Sequence, residues 1–549
     1  MIQENFIRMV NDSIRENAER IAFSDYDGNR NLTYREVSGI ITGFHHLYQS
    51  LGVGKNDKIA LIGKNSSNWA LAYLSVVTCG AVVVPVLPHF APSDVHELVN
   101  HSDSVILFAN NSIFDTLDSD KLLNVKAVIS LDDFSCLYSE NPGCQEIIRK
   151  LSGNMAASNN TGAIRYEVPD NSDMFAILYT SGTSGFSKGV MLTHNNIAGN
   201  MVYARTYMPL VPGDAILSFL PLAHAYGCAI EFLYPFTLGC HITFLGKTPT
   251  PKVILEGFAR IKPRLILSVP LIIEKIFKKQ IKPVLDKPVM KVLMHVPGIN
   301  RKILEKINQK LTASFGNNFH EVVIGGAPLN EDVQRFFMKM KFRFTIGYGM
   351  TECGPLISYA GWKDFRLNSA GRVVDQLVMK IDSDDPEHVV GEILVKGDNV
   401  MAGYYKNSEA TTQTVDTDGW LHTGDLGTID KDGFLYIRGR CKNMILGASG
   451  ENIYPEEIES RINNWQYVTE SVVVERKGKL VALIFPDKDQ VEKEKLDEKS
   501  FLHHLEDQRK HLNKHMPAIM KISKIQIMEE EFEKTPKKSI KRYLYTQEL

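Results

Sequence analysis

Between residues 57 and 350 the chain repeats one pattern: a short, largely apolar run, then a longer helical stretch. The short runs fall at 58–62, 81–86, 104–108, 127–131, 175–179, 215–220, 241–245, 265–269, 322–324 and 344–346. Strands that are apolar throughout, rather than alternating, are buried on both faces. In the order strand, helix, strand they predict parallel sheets covered by helices. The stretch 69–90, WALAYLSVVTCGAVVVPVLPHF, carries no charge over 22 positions and is long enough to span a bilayer. Gly80, Pro85 and Pro88 interrupt it, and the β-branched residues 82–84 suit a strand. It reads as a buried helix running into a buried strand. Residues 150–173 are polar and read as a surface connection.

After residue 370 the texture changes. GEILVKG, LHTGDLGTI and FLYIRGR alternate or cluster apolar residues between turns such as Asp418-Gly419 and Asp432-Gly433, which predicts an antiparallel subdomain at about 366–440. Past residue 440 come a helical PEEIESRINN, strands around ESVVVE and LVALIFP, and a helical FLHHLEDQRKHLNKH. The expected organisation is an α/β N-terminal domain, 1–440, and a small α+β domain, 441–549.

Composition narrows the classes. A length of 549 residues calls for more than one core, and a net charge of −2 carries no basic excess for a nucleic-acid partner. The seven cysteines are scattered and contain no C-x-x-C, which disfavours a disulfide framework or zinc site and favours a reducing cytoplasm. The first twenty residues are charged throughout, unlike a secretory signal.

The chemistry concentrates at 177–195, ILYTSGTSGFSKGVMLTHN. An apolar strand runs into a loop with Thr180, Ser181, Thr183, Ser184 and Ser187, glycines 182, 185 and 189, and Lys188. Small hydroxyls, glycines that let backbone N–H groups approach an anion, and one cation make a phosphate cradle. It is not a Walker loop, since Ser187 stands where the second glycine belongs and Gly189 where a metal-binding hydroxyl would be.

YTSGTSGFSKG resembles the signature loop of the adenylate-forming enzymes, which include acyl- and aryl-CoA synthetases, peptide-synthetase adenylation domains and beetle luciferases. LPLAHAYG at 220–227, GGAPL at 325–329, GYGMTECGP at 347–355, GEILVKGDNVMAGYY at 391–405, GWLHTGDLG at 419–427 and GRCKNMILGASGENIYPEEIE at 439–459 match further motifs in the family's order. The resemblance implies an acyl-CoA synthetase-like fold with a mobile small domain, and ATP, Mg²⁺ and CoA as reactants. Thr180, Ser181, Gly182, Thr183, Ser184, Gly185 and Lys188 would hold the leaving pyrophosphate, with Thr351 at the α-phosphate and Glu352 as Mg²⁺ ligand. Tyr348, Gly326 and Ala327 would lie at the adenine and acyl group, Asp425 and Arg440 at the ribose, and His224 beside the acyl carboxylate. Lys442 would be the hinge, and Gly450 would border the CoA tunnel.

The acid is expected to be apolar. Ala225, Gly227, Cys228, Ala229, Val269, Leu271, Ile272 and Ile273 are apolar or small, and no Asp is placed for an amino group. These runs look most like long-chain fatty acyl-CoA synthetases, which makes ligation of a medium- or long-chain fatty acid to CoA the leading reading. An aryl acid, a carrier-protein acceptor, or a catalytically impaired nucleotide-binding scaffold are the alternatives. Residues 275–310 hold ten Lys or Arg against two acids, which suits peripheral contact with an anionic membrane as well as an ordinary solvated face. One departure stands out: relatives carry a catalytic lysine just before an Ile-x-Arg run, and KTPKKSIKR puts Ser539 there. A one-residue slip would give the role to Lys538, with Lys537 and Lys541 nearby.

Overall fold

A computed structural model describes residues 2–28, 30–140, 143, 146, 165–181, 187–446, 452–534 and 540–546. Three sheets with parallel cores build the N-terminal part. The largest has eight strands, in spatial order Gly403–Tyr404, Ser187–Thr193, Met174–Ser181, Val82–Val86, Lys58–Ile62, Ser104–Ala109, Ala127–Ser130 and Cys136–Ser139. Its inner members run parallel, whereas Ser187–Thr193 returns antiparallel beside Met174–Ser181. A second sheet orders Ala215–Ser218, His241–Phe244, Ile21–Asp25 and Asn31–Thr33. The third is Leu265–Ser268, Glu321–Ile324 and Phe344–Ile346, all parallel.

The helix Ser67–Thr78 explains the uncharged stretch. Each of its residues is buried, and Trp69 and Tyr73 pack against Phe232. A helix with protein on every side has no polar face to keep, and the strand Val82–Val86 follows as expected. Truncating Trp69 to alanine should cost about 3–5 kcal/mol. Among the described residues no helix is long and apolar enough to cross a membrane. His194–Tyr207 is a second central helix, started by a capping box between Thr193 and Asn196.

The antiparallel region is less self-contained than its sequence suggests. Leu377–Asp382, Gly391–Gly397, Leu421–Ile429 and Leu435–Arg440 form one sheet. Arg372–Val373 instead pairs with Leu356–Tyr359, and Gly403–Tyr404 joins the large sheet. The small domain packs the helices Pro455–Ile462 and Glu498–Lys514 on the strands Val468–Arg476, Lys479–Pro486 and Ile522–Ile527, around a core that includes Ile458, Val473 and Leu505.

Candidate active site

The phosphate motif is a hairpin. Tyr179, Thr180 and Ser181 pair with Gly189, Lys188 and Ser187, so the strand runs two residues beyond the apolar run that announced it, and Thr180 and Ser181 lie on its end. Gly182, Thr183, Ser184 and Gly185 lie outside the described residues. The Lys188 ammonium sits 4.7 Å from the centroid of the Tyr404 ring. Tyr404 is brought there by its strand, which pairs with Met191 and Val190. Its hydroxyl donates to Glu352 Oε1 at 2.9 Å, and the Met401 N–H donates to the Glu352 carbonyl at 2.8 Å. Glu352 is buried in the short turn Thr351–Cys353. Asn200 braces that turn from the central helix, donating to the Cys353 carbonyl at 3.1 Å and accepting from the Leu356 N–H at 2.9 Å. Lys188, Tyr404 and Glu352 therefore form one connected line, with half-buried Thr351 at its end.

A second cluster lies on the antiparallel sheet. Both oxygens of buried Asp425 are engaged: the Tyr348 hydroxyl donates to one at 2.6 Å, and Arg440 Nε lies 3.0 Å from the other. Burial pushes the Asp425 carboxyl above the ordinary carboxylate range, and Arg440 and Tyr348 pull it back. Asp425 and Arg440 are direct cross-strand partners, so register alone brings them together.

Three motifs meet at glycines. A Cβ on Gly325 would stand 3.3 Å from the Tyr226 ring and 3.4 Å from the Gly347 carbonyl, so LPLAHAYG, GGAPL and GYGMTECGP touch here. Gly326 has φ +87°, where a side chain is strained, and it is exposed with Ala327 beyond a strand C-terminus, the usual ligand end of open α/β sheets. The Tyr226 hydroxyl donates to the Val323 carbonyl at 3.0 Å.

His224 is half-buried and precedes the turn Ala225–Gly227 and the π-helical stretch Cys228–Leu233. Within that stretch Glu231 is fully buried, and its Oε2 accepts from the Phe219 and Leu220 N–H groups at 3.0 and 2.9 Å. Those bonds fix the backbone that enters LPLAHAYG. Burial raises the Glu231 carboxyl well above its usual range, and the two backbone N–H donors pull it back. Of the proposed acid wall, Ala225, Cys228, Ala229 and Ile273 are buried, and Val269 and Ile272 are half-buried. Leu271 is 50% exposed and is no part of a buried wall, because it sits on the outer face of the helix Pro270–Ile276.

Lys442 is exposed in the turn Cys441–Asn443, directly after the strand that ends in Arg440. Gly450 and Lys538 lie outside the described residues. The small domain meets the large one just past GGAPL, where Asn464 Nδ2 donates to Asp332 at 3.2 Å and Asn330 also contacts Asn464. Asn443 donates to Glu456 at 2.6 Å within the small domain.

No group of three His, Cys, Asp or Glu suited to a metal occurs among the described residues. Glu352 would offer a single hard oxygen. That fits Mg²⁺, which is commonly held by one or two carboxylates with phosphate oxygens and water completing the shell.

Tyr404, Tyr226 and Glu231 carry parts of this site that the sequence reading passed over. Glu231 had a signal, as the one acid in the apolar run CAIEFLYPFTL. The two tyrosines lie within recognised motifs, but their partners are distant in sequence.

Comparison with known proteins agrees with this geometry. The AMP-binding enzyme family model matches residues 10–405, and the AMP-binding enzyme C-terminal domain matches residues 442–549. The chain belongs to the AMP-binding enzyme family. It is 28% identical over 447 residues to the long-chain-fatty-acid–CoA ligase FadD15 of Mycobacterium bovis, covering 77% of this chain and 72% of that one. It is also 28% identical over 563 residues to the chloroplastic long-chain-fatty-acid–[acyl-carrier-protein] ligase AEE15 of Arabidopsis thaliana, covering 88% and 76%. The anthranilate CoA ligase AuaEII, solved with anthranoyl-AMP, shares the fold with a TM-score of 0.79 at 18% identity, over 99% of this chain and 96% of that one.

Proposed function

We propose that this protein uses ATP to convert a carboxylic acid into an acyl-adenylate and passes the acyl group to CoA, releasing pyrophosphate and AMP. The observation that carries this reading is the line Lys188–Tyr404–Glu352, which joins the phosphate hairpin to a buried carboxylate. Lys188 offers positive charge to the triphosphate, and Asp425 offers an acceptor to the ribose hydroxyls. Mg²⁺, held by Glu352 together with phosphate oxygens, would supply charge neutralisation at the triphosphate. His224 and the loop that Glu231 fixes would border the acid.

For the acid, the apolar residues at Ala225, Cys228, Ala229 and Ile273 support a medium- or long-chain fatty acid, as do the named activities of the relatives. The fold shared with an anthranilate CoA ligase supports an aryl acid, and AEE15 supports a carrier-protein acceptor. A cytoplasmic location is proposed on the cysteine pattern alone. The test is pyrophosphate release with ATP, Mg²⁺ and a panel of fatty and aryl acids, followed by thioester formation with CoA or acyl-carrier protein. Pyrophosphate release should require an acid, and thioester should require CoA. Release without any acid would overturn the ligase reading, and a preference for aryl acids would overturn the fatty-acid one.

A further inference from the structure

Between Lys282 and Lys310 the chain leaves the body of the protein. It forms the short helices Lys282–Leu285 and Pro288–Leu293 and then the long helix Ile299–Ser314. No residue from 282 to 310 is buried. Leu285, Leu304 and Ile307 pack partly against the core and hold the excursion in place. Other positions are unusual, because Val289, Val292, Val296 and Ile299 are 70, 67, 37 and 42% exposed within eleven residues. Around them stand exposed Lys287, Lys291, Arg301 and Lys302. The whole excursion holds seven Lys or Arg against Asp286 and Glu305, a formal charge of +5 in a chain whose net charge is −2.

We infer that this segment is a docking element for an anionic lipid surface. Aliphatic side chains ringed by lysines match an interface in which the former enter the acyl boundary and the latter meet the headgroups. The chemistry separates this partner from the other candidates. Single-stranded nucleic acid is usually held by aromatic stacking, and 282–310 contain no Phe, Tyr or Trp. Protein interfaces are depleted in lysine and enriched in aromatic residues, the reverse of this surface.

The segment is also joined to the site. The helix Pro270–Ile276 begins at Val269, whose Cγ1 lies 3.9 Å from where a Cβ on Gly326 would stand, and it continues through Phe277–Ile281 into Lys282–Leu285. If the acid is fatty, docking brings the enzyme to the phase where that acid partitions. This last link rests on the fatty-acid reading; the docking itself does not.

The test is co-sedimentation of the full-length protein with vesicles of phosphatidylcholine alone and of phosphatidylcholine with phosphatidylglycerol, at low and physiological salt. Binding should require phosphatidylglycerol and fall as salt rises. Val289→Asp with Val292→Asp, and separately Lys287→Glu with Lys291→Glu, should each weaken it by about tenfold or more. Acid-dependent pyrophosphate release, measured on the same preparations without vesicles and with an acid that the wild type turns over, should stay at the wild-type rate and so report an intact fold. Absence of vesicle binding, equal binding to both vesicles, or binding that survives both double substitutions would overturn the proposal. So would retention on an RNA homopolymer that the lysine pair weakens and the valine pair does not. Failure of pyrophosphate release in the wild type over the whole panel of fatty and aryl acids would count against the ligase reading alone.

Discussion

The Tyr404 hydroxyl and the Glu352 carboxylate, 52 positions apart, share a 2.9 Å hydrogen bond in which the phenol donates. The same ring lies beneath the Lys188 ammonium. One side chain thus orients the expected metal-binding carboxylate and the expected phosphate-binding cation. Tyr404→Phe keeps the ring and removes the bond, so it should cost about 2 kcal/mol in kcat/KM, the range for a hydrogen bond to a charged group. Its signature should be a raised Mg²⁺ requirement, read from rates over a Mg²⁺ titration and from MgATP binding by calorimetry. Tyr404→Leu, which also removes the face under Lys188, should add about 1 kcal/mol. Unchanged Mg²⁺ dependence in both variants would break the link.

Glu352→Gln should cost about 3 kcal/mol or more of transition-state stabilisation while leaving the fold intact. The measurement is single-turnover adenylate formation beside thermal unfolding. A wild-type rate across the Mg²⁺ titration would remove Glu352 from the metal's shell.

Lys442 should separate the half-reactions. It stands exposed in the turn Cys441–Asn443, one residue past the turn's start after Arg440. Lys442→Pro fixes φ at the proposed pivot and should leave adenylate formation near wild type while slowing thioester release by about tenfold or more. Equal losses in both half-reactions would mean that no rotation occurs there.

The expected C-terminal lysine needs a set of single alanine variants at Lys537, Lys538, Ser539 and Lys541. Residues 537–539 lie outside the described part of the chain. Lys541 is described, and its ammonium lies 3.4 Å from Glu533. A large loss of pyrophosphate release at Lys538 alone is the expected result. Four fully active variants would mean that this segment supplies no catalytic cation.

Two desolvated imidazoles, half-buried His45 and buried His194, set an acid limit on the large domain. Desolvation lowers both His45 and His194 to about 4. The unfolded chain protonates each near pH 6.5, so between about 4 and 6.5 it holds more protons than the folded chain. Stability therefore rises with pH across that window and is lost as pH falls through it, by up to about 3 kcal/mol per imidazole. Urea midpoints between pH 7.5 and 4.5 should show this slope, and His45→Gln with His194→Asn should flatten it. An undiminished slope in the double variant would place the titration elsewhere.

Much of the fold was legible because buried parallel strands write themselves as unbroken apolar runs, as at 58–62 and 104–108. Ile21–Asp25 was not, since a five-residue strand among polar neighbours shows no period until Phe23 and Ser24 find Ile242 and Thr243. The site divides the same way. Lys188, Glu352 and Asp425 sit in local motifs. Tyr404, Tyr226 and Glu231 owe their roles to long-range pairing, which no window of sequence displays. The extension of the strand to Ser181 was hidden because hydroxyl residues ending a strand look like a loop.

The register of one hairpin has a consequence for building hybrid enzymes. Asp425 faces Arg440 because Leu421–Ile429 and Leu435–Arg440 pair across a one-residue register shift between Leu426 and Gly427. The far end of that hairpin is clamped where Arg366 bonds Asp430 and Asp432 at 2.8 and 2.7 Å, and Arg366 and Arg372 both cover the Phe434 ring. A slip of one residue would turn Asp425 to the opposite face. The hairpin that presents the expected ribose acceptor also leads straight into the expected pivot at Lys442, so the turn at 430–434 and the arginines around it travel together as a single cassette. A small domain borrowed from another member of the family should be joined after residue 442, whereas a junction anywhere between 366 and 440 would part the nucleotide site from the clamp that keeps it in register.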